Sequence, residues 1–98
     1  MKIPKSVRIG PYTYKVKKSN NIRKRPNGKN ASGLCEHKTR TLWIESGLDS
    51  VEEKIVFMHE CLHVIEYVYD LTLGEKKVEK LDSYLIDFIT LNKLNFND

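Results

Sequence analysis

Residues 49–70 read Asp49-Ser50-Val51-Glu52-Glu53-Lys54-Ile55-Val56-Phe57-Met58-His59-Glu60-Cys61-Leu62-His63-Val64-Ile65-Glu66-Tyr67-Val68-Tyr69-Asp70, and this stretch sets the architecture of the chain. Val51, Ile55, Met58, Leu62, Ile65 and Tyr69 recur at three- and four-residue steps, with Val56, Phe57, Val64 and Val68 widening the stripe. That is the pattern of a central helix buried over much of its surface. Asp49 or Ser50 stands where an N-cap belongs, with Glu52 or Glu53 three residues on to close a capping box. Inside the helix, His59-Glu60-Cys61-Leu62-His63 puts two imidazoles four residues apart and therefore on one face. Such a pair can share one zinc ion, and the glutamate after the first histidine is placed to take a proton from a metal-bound water. Metal binding lowers the pKa of that water from about 15.7 to about 7, which makes hydroxide available at neutral pH.

A catalytic zinc site takes three protein ligands and leaves a fourth position open, so one more must come from outside the helix. After the turn Asp70-Leu71-Thr72-Leu73-Gly74, residues Glu75 to Leu91 carry Val78, Leu81, Leu85, Ile86, Phe88, Ile89 and Leu91 at helical spacing. A second amphipathic helix is expected to pack back on the first. It offers Glu75, Glu79 and Asp82. Glu79 is the expected third ligand, because a residue about one turn into an antiparallel helix can face the histidine pair. Glu75 falls at the helix start, where a carboxylate already serves the macrodipole. Asp82 is placed to accept from a ring nitrogen of His59 or His63 and so fix its orientation. Asn92 to Asp98 is polar apart from Leu94 and Phe96 and reads as a frayed end.

Upstream of the helix, Val7-Arg8-Ile9 and Tyr12-Thr13-Tyr14-Lys15-Val16 flank Gly10-Pro11 and read as a tight hairpin or two edge strands. Gly33 to Glu36 and Thr41 to Glu45 form a second hairpin across His37-Lys38-Thr39-Arg40. Between them, Lys18 to Ser32 is polar, charged and broken by Pro26-Asn27-Gly28, the composition of a mobile loop. The expected fold is therefore α+β: N-terminal antiparallel hairpins or a sheet packed on two C-terminal helices. At 98 residues the chain is read as one minimal domain. Residues 1–45 are mainly strands and the basic loop, 49–70 the first helix and 75–92 the second.

Hydrophobic residues make up 40% and charged residues 31%, a balance that excludes a disordered or membrane-spanning chain. With no bilayer-length apolar run and no secretory pattern at the N-terminus, a cytoplasmic protein that does not engage membrane is expected. Cys35 and Cys61 are then free thiols rather than a disulfide. The net charge of +4 arises mainly before residue 41, where the lysines and arginines are opposed by Glu36 alone. A solvated basic face explains this, since no nucleic-acid recognition motif accompanies the charges.

The segment Leu42-Trp43-Ile44, followed by a capped helix with Phe57-Met58-His59-Glu60-Cys61-Leu62-His63, resembles the strand, helix and HExxH block of the ImmA/IrrE-like and SprT-like metallopeptidases. These are small zincins, often carried by bacteriophages and mobile elements, and the layout is of the gluzincin type. Glu79-Lys80-Leu81-Asp82-Ser83-Tyr84-Leu85 is similar to the ligand-bearing ExxA helix of the ImmA/IrrE group, with Asp82 standing where that group has a small apolar residue. The resemblance spans Thr41 to Leu91. It implies a zincin-like fold with one zinc held by His59, His63 and Glu79, and Glu60 as general base. It further implies a protein or peptide substrate laid against an edge strand at Thr41 to Ile44.

The remaining chemistry-bearing residues have ordinary readings. His37 is expected as a solvated turn histidine, although one that could contact substrate or steady an oxyanion. Cys61 points off the metal face into the core. Trp43 is expected to cap the core, and Tyr67, Tyr69 and Tyr84 to pack by their helical spacing. The function expected from the sequence is zinc-dependent peptide-bond hydrolysis. The alternative is a non-catalytic zinc-containing module whose basic N-terminal half engages nucleic acid or a protein partner.

Overall fold

The computed structural model describes residues 2–20, 22 and 32–94; most of the Lys18 to Ser32 loop and the end of the C-terminal tail lie outside them. Four strands, β1 (Ser6–Ile9), β2 (Tyr12–Ser19), β3 (Gly33–Glu36) and β4 (Thr41–Glu45), precede two helices, α1 (Ser50–Tyr69) and α2 (Glu75–Leu91). The fold is the α+β arrangement expected from the sequence, with a mixed rather than wholly antiparallel sheet. Its order is β1-β2-β4-β3.

Both hairpins form. β1 and β2 pair antiparallel with Ile9 opposite Tyr12, leaving Gly10-Pro11 as a two-residue turn. Gly10 has φ +59°, which the first central position of a type II′ turn requires and which an L side chain resists. A Cβ there would also lie 2.9 Å from Val68 Cγ1, so β1 reaches α1 through a residue with no side chain. β3 and β4 pair antiparallel, Leu34 opposite Trp43 and Cys35 opposite Leu42. The hairpins are joined by a parallel β2–β4 ladder running from Lys15–Thr41 to Ser19–Glu45. This pairing is non-local, and neither hairpin's sequence announces it.

The ladder corrects one expectation. Thr41 to Ile44 is not an edge: β4 lies inside the sheet between β2 and β3, and the edge strands are β1 and β3. Alternation along the strands then sorts the two faces. Ile9, Tyr14, Leu42 and Ile44 point inward and form the core with Phe57, Cys61 and Val64 of α1. Trp43 falls on the opposite face and is not part of that core. Its indole N–H donates to Glu36, and the Lys17 ammonium sits 5.8 Å from its ring centre.

α1 is the middle layer. It packs on β1, β3 and β4, whereas among the described residues α2 packs on no element other than α1. Burial of Val78, Ile86 and Ile89 in α2, and of Leu62 in α1, follows from that helix pairing. A helix buried on two sides does not show one stripe, which is why Val51 and Tyr69, both on the expected stripe, are 62% and 54% exposed at its ends. Tyr67 and Tyr84 are exposed too, so none of the three tyrosines is buried in the core. Asp49 is the N-cap of α1, with Oδ1 accepting from the Glu52 N–H at 2.8 Å. Asp70 ends it in the left-handed region at φ 54°. Among the described residues no helix is long and apolar enough to cross a membrane.

Asp49→Ala should lower stability by about 1 kcal/mol through loss of the cap, while Leu42→Ala, emptying a fully buried position, should cost about 2–5 kcal/mol. Urea unfolding monitored by the helical circular dichroism signal measures both.

Candidate metal centre

His59 and His63 lie one turn apart on the side of α1 that meets α2. Their Nε2 atoms are 3.2 Å from each other, and the Glu75 carboxylate straddles them. Its Oε1 lies 2.8 Å from His59 Nε2 and its Oε2 3.0 Å from His63 Nε2. These three residues form a group able to hold a metal ion. His59 is buried, His63 half-buried and Glu75 exposed, so the group closes on the protein side and opens toward solvent.

Each imidazole is held from behind. His59 Nδ1 donates to Asp82 Oδ2 at 2.9 Å, and the other Asp82 oxygen accepts from the Ser83 hydroxyl at 2.9 Å. His63 Nδ1 donates to Glu66 Oε1 at 2.8 Å. A carboxylate on Nδ1 puts the proton there and leaves Nε2 as a lone pair. Two such lone pairs and a carboxylate then point into one small volume, which is repulsive unless a cation or shared proton occupies it. Donors at about 2.0–2.1 Å from a tetrahedral zinc lie about 3.3 Å apart, and the spacings of 2.8, 3.0 and 3.2 Å fit that geometry after modest expansion. The donor set, two nitrogens and a carboxylate, is one that zinc takes readily.

Glu66 ties this geometry to the turn between the helices. Its Oε2 accepts from the backbone N–H groups of Leu73 at 2.8 Å and Gly74 at 3.2 Å. Those two amides, and then His63, hold its carboxyl below its ordinary pKa of 4.5. One side chain thus fixes the His63 ring and the start of α2, the helix that bears Glu75. The spacing of three from His63 was its only trace in the sequence.

Glu79 is not in the group. It is exposed, whereas Glu75, Val78, Asp82, Ile86 and Ile89 succeed one another at steps of three and four. Glu79 falls one position off that stripe. Asp82 meets His59, and two turns earlier on α2 Glu75 meets both histidines, whereas Glu79 between them stays at the solvent-exposed edge. Glu75 heads α2 next to its N-cap, Gly74, and stands in the first turn where a carboxylate suits the macrodipole, while its two oxygens also meet the histidines.

Glu60 faces the other way, toward the sheet. It is 4% exposed and lies against Gly33 of edge strand β3, where a Cβ would come within 2.9 Å of both its Cγ and Oε2. Glycine at that position makes room for the carboxylate. Cys61 packs in the core as expected. Burial first, and then Glu60, pushes the Cys35 and Cys61 thiols up to about 12; both cysteines are free and stay protonated at neutral pH.

His37 is not a loose turn residue. Its ring stacks on Tyr67 with centroids 3.8 Å apart and planes 7° from parallel, and its Nδ1 lies 3.0 Å from the Tyr14 hydroxyl. Neither partner is legible from the residues around His37, since both belong to distant elements. Comparison with protein-family models, with curated proteins and with solved structures finds no match to this chain.

Purified protein should bind about one zinc per chain, measured by metal analysis and chelator competition. His63→Ala and Glu75→Ala should abolish tight binding and Glu79→Ala should leave it intact; Asp82→Asn should weaken it by about 10–100-fold. The lowered pKa of Glu66 also sets a pH signature. Its contribution to stability is present above the ordinary value of 4.5 and fades as pH falls through the lower folded-state value. In metal-free protein, Glu66→Gln should therefore melt below wild type at pH 7, and the gap should narrow below pH 4.5.

Proposed function

We propose that the chain is a small zinc-dependent peptidase, with His59, His63 and Glu75 as the ligands and Glu60 as general base and then acid. The observation that carries this reading is the convergence of three donors, each imidazole oriented by its own carboxylate, on the helix in which the buried Glu60 directly follows His59. Zinc held there would polarise a peptide carbonyl and acidify water.

The protein's own groups would do the rest. Glu60 would accept a proton from the attacking water and return it to the leaving amine, which requires that its carboxylate be anchored between the metal face of α1 and the sheet. The rings of His59 and His63 would stay fixed throughout, because Asp82 and Glu66 prevent them from turning. Glu75, on the solvent side, would leave the approach open. Among the described residues β3 has a ladder partner on one side only, and its Gly33 touches Glu60. An extended substrate pairing with β3, rather than with β4, would therefore pass beside the base. Main-chain pairing of this kind tolerates many sequences.

A second reading rests on a different surface. The outer face of the sheet, turned away from α1, exposes Arg8, Lys15 and Lys17, and a non-catalytic module could use it to hold an anionic partner such as nucleic acid. Such binding would weaken steeply with salt and would be indifferent to Glu60.

Glu60→Gln separates the two. On the peptidase reading this variant keeps its zinc and loses cleavage of fluorescent casein by a factor of about 10²–10⁴. Undiminished cleavage rules out Glu60 as the base. Absence of cleavage in zinc-loaded wild type, together with salt-sensitive binding of an oligonucleotide, favours the module.

A further inference from the structure

His37 occupies the hairpin between β3 and β4, yet three contacts fix it. Tyr67 stacks flat on its ring at 3.8 Å. The Tyr14 hydroxyl lies 3.0 Å from Nδ1, and the Cys35 sulfur lies 3.5 Å from Nδ1 and 3.7 Å from Nε2. A solvated turn histidine has no such set of partners.

The Tyr14 contact determines which nitrogen carries the proton. Tyr14 is 1% exposed, and among the described residues its hydroxyl has no acceptor but His37. A buried phenol that failed to donate would leave its hydrogen unsatisfied. Burial also raises its pKa above the ordinary 10, so the hydrogen is present at neutral pH. Tyr14 therefore donates to Nδ1, and the neutral ring must hold its own hydrogen on Nε2. A ring that accepts at Nδ1 is the neutral form, and burial favours it further by lowering the pKa from its ordinary 6.5. Among the described residues Nε2–H meets only the Cys35 sulfur, a weak acceptor at 3.7 Å.

Position gives this donor its meaning. Tyr67 follows His63 by four residues and so lies on the same face of α1, one turn on. The ring stacked on Tyr67 is thus carried by the β3–β4 hairpin to the turn of α1 that follows His63. Cys35, its neighbour on β3, belongs to the strand that also holds Gly33 against Glu60.

We propose that His37 is a substrate-contacting residue of this site, a fixed neutral imidazole that offers Nε2–H to a carbonyl oxygen of the bound peptide, with Tyr14 as the positioning residue that sets its tautomer. The proposal rests on the peptidase reading and adds a donor to it. Preorganised donors of this type act on charge that develops at the carbonyl oxygen, and loss of one slows acyl transfer by about 10²–10³-fold. The tautomer matters as much as the ring, because an imidazole with its hydrogen on Nδ1 would present a lone pair to that oxygen.

Two measurements on zinc-loaded protein test this. Long-range nitrogen–proton NMR correlations should show His37 with its hydrogen on Nε2 in wild type and a mixture of tautomers in Tyr14→Phe. Initial rates on fluorescent casein should fall by about 10²-fold in His37→Phe and less in His37→Asn, whose amide can still donate, with zinc content unchanged in both. A hydrogen on Nδ1 in wild type, or wild-type rates in both variants, overturns the role of His37 while leaving the peptidase reading intact. A zinc-loaded wild type that does not cleave casein overturns the peptidase reading and the role of His37 with it.

Discussion

Two imidazole nitrogens held 3.2 Å apart are the constraint on which the rest of this structure turns. Left alone, lone pairs at that distance repel. The rings are held there by Asp82 and Glu66, each accepting from the far side of one ring, and the Glu75 carboxylate that faces both nitrogens makes the group one that a cation or a shared proton must hold together. Every one of these acceptors depends on where α2 lies. Asp82 and Glu75 are on it, and Glu66 grips the amides of Leu73 and Gly74 from which it starts. The turn between the helices is therefore part of the metal group, not a mere connection.

The same helix serves several faces at once. Phe57, Cys61 and Val64 join α1 to the sheet, Leu62 is buried with the helix pair, and His59 and His63 meet α2. Glu60, between them, is turned to Gly33 on β3. One helix carries both core residues and the group able to hold a metal ion, so substitutions in the core are expected to reach that group through it.

How much of this could be read beforehand follows from the range of each interaction. The helices, the Asp49 cap and both hairpins rest on local periodicity and turn chemistry, and they are present as expected. The parallel pairing of β2 with β4 is a contact between segments far apart in sequence, and it moved the edge of the sheet from Thr41–Ile44 to β3. Glu75 rather than Glu79 stands beside the histidines because the offset between two helices is fixed by hydrogen bonds in the turn that no stripe encodes. Even so, the stripe through Val78, Asp82, Ile86 and Ile89, extended back by three, ends on Glu75. His37 was unreadable for a related reason: Tyr14 and Tyr67 come from two other elements, and only the assembled fold brings them to one ring. The helix tyrosines stay exposed: helical spacing tells which residues share a face, not whether another layer covers it.

Zinc K-edge absorption spectroscopy of the metal-loaded protein bears most directly on the central claim. Two imidazole nitrogens at about 2.0–2.1 Å, completed by oxygen ligands at about 2.0–2.2 Å, are the predicted environment. A sulfur neighbour at about 2.3 Å, or a protein that takes up no zinc, would contradict it.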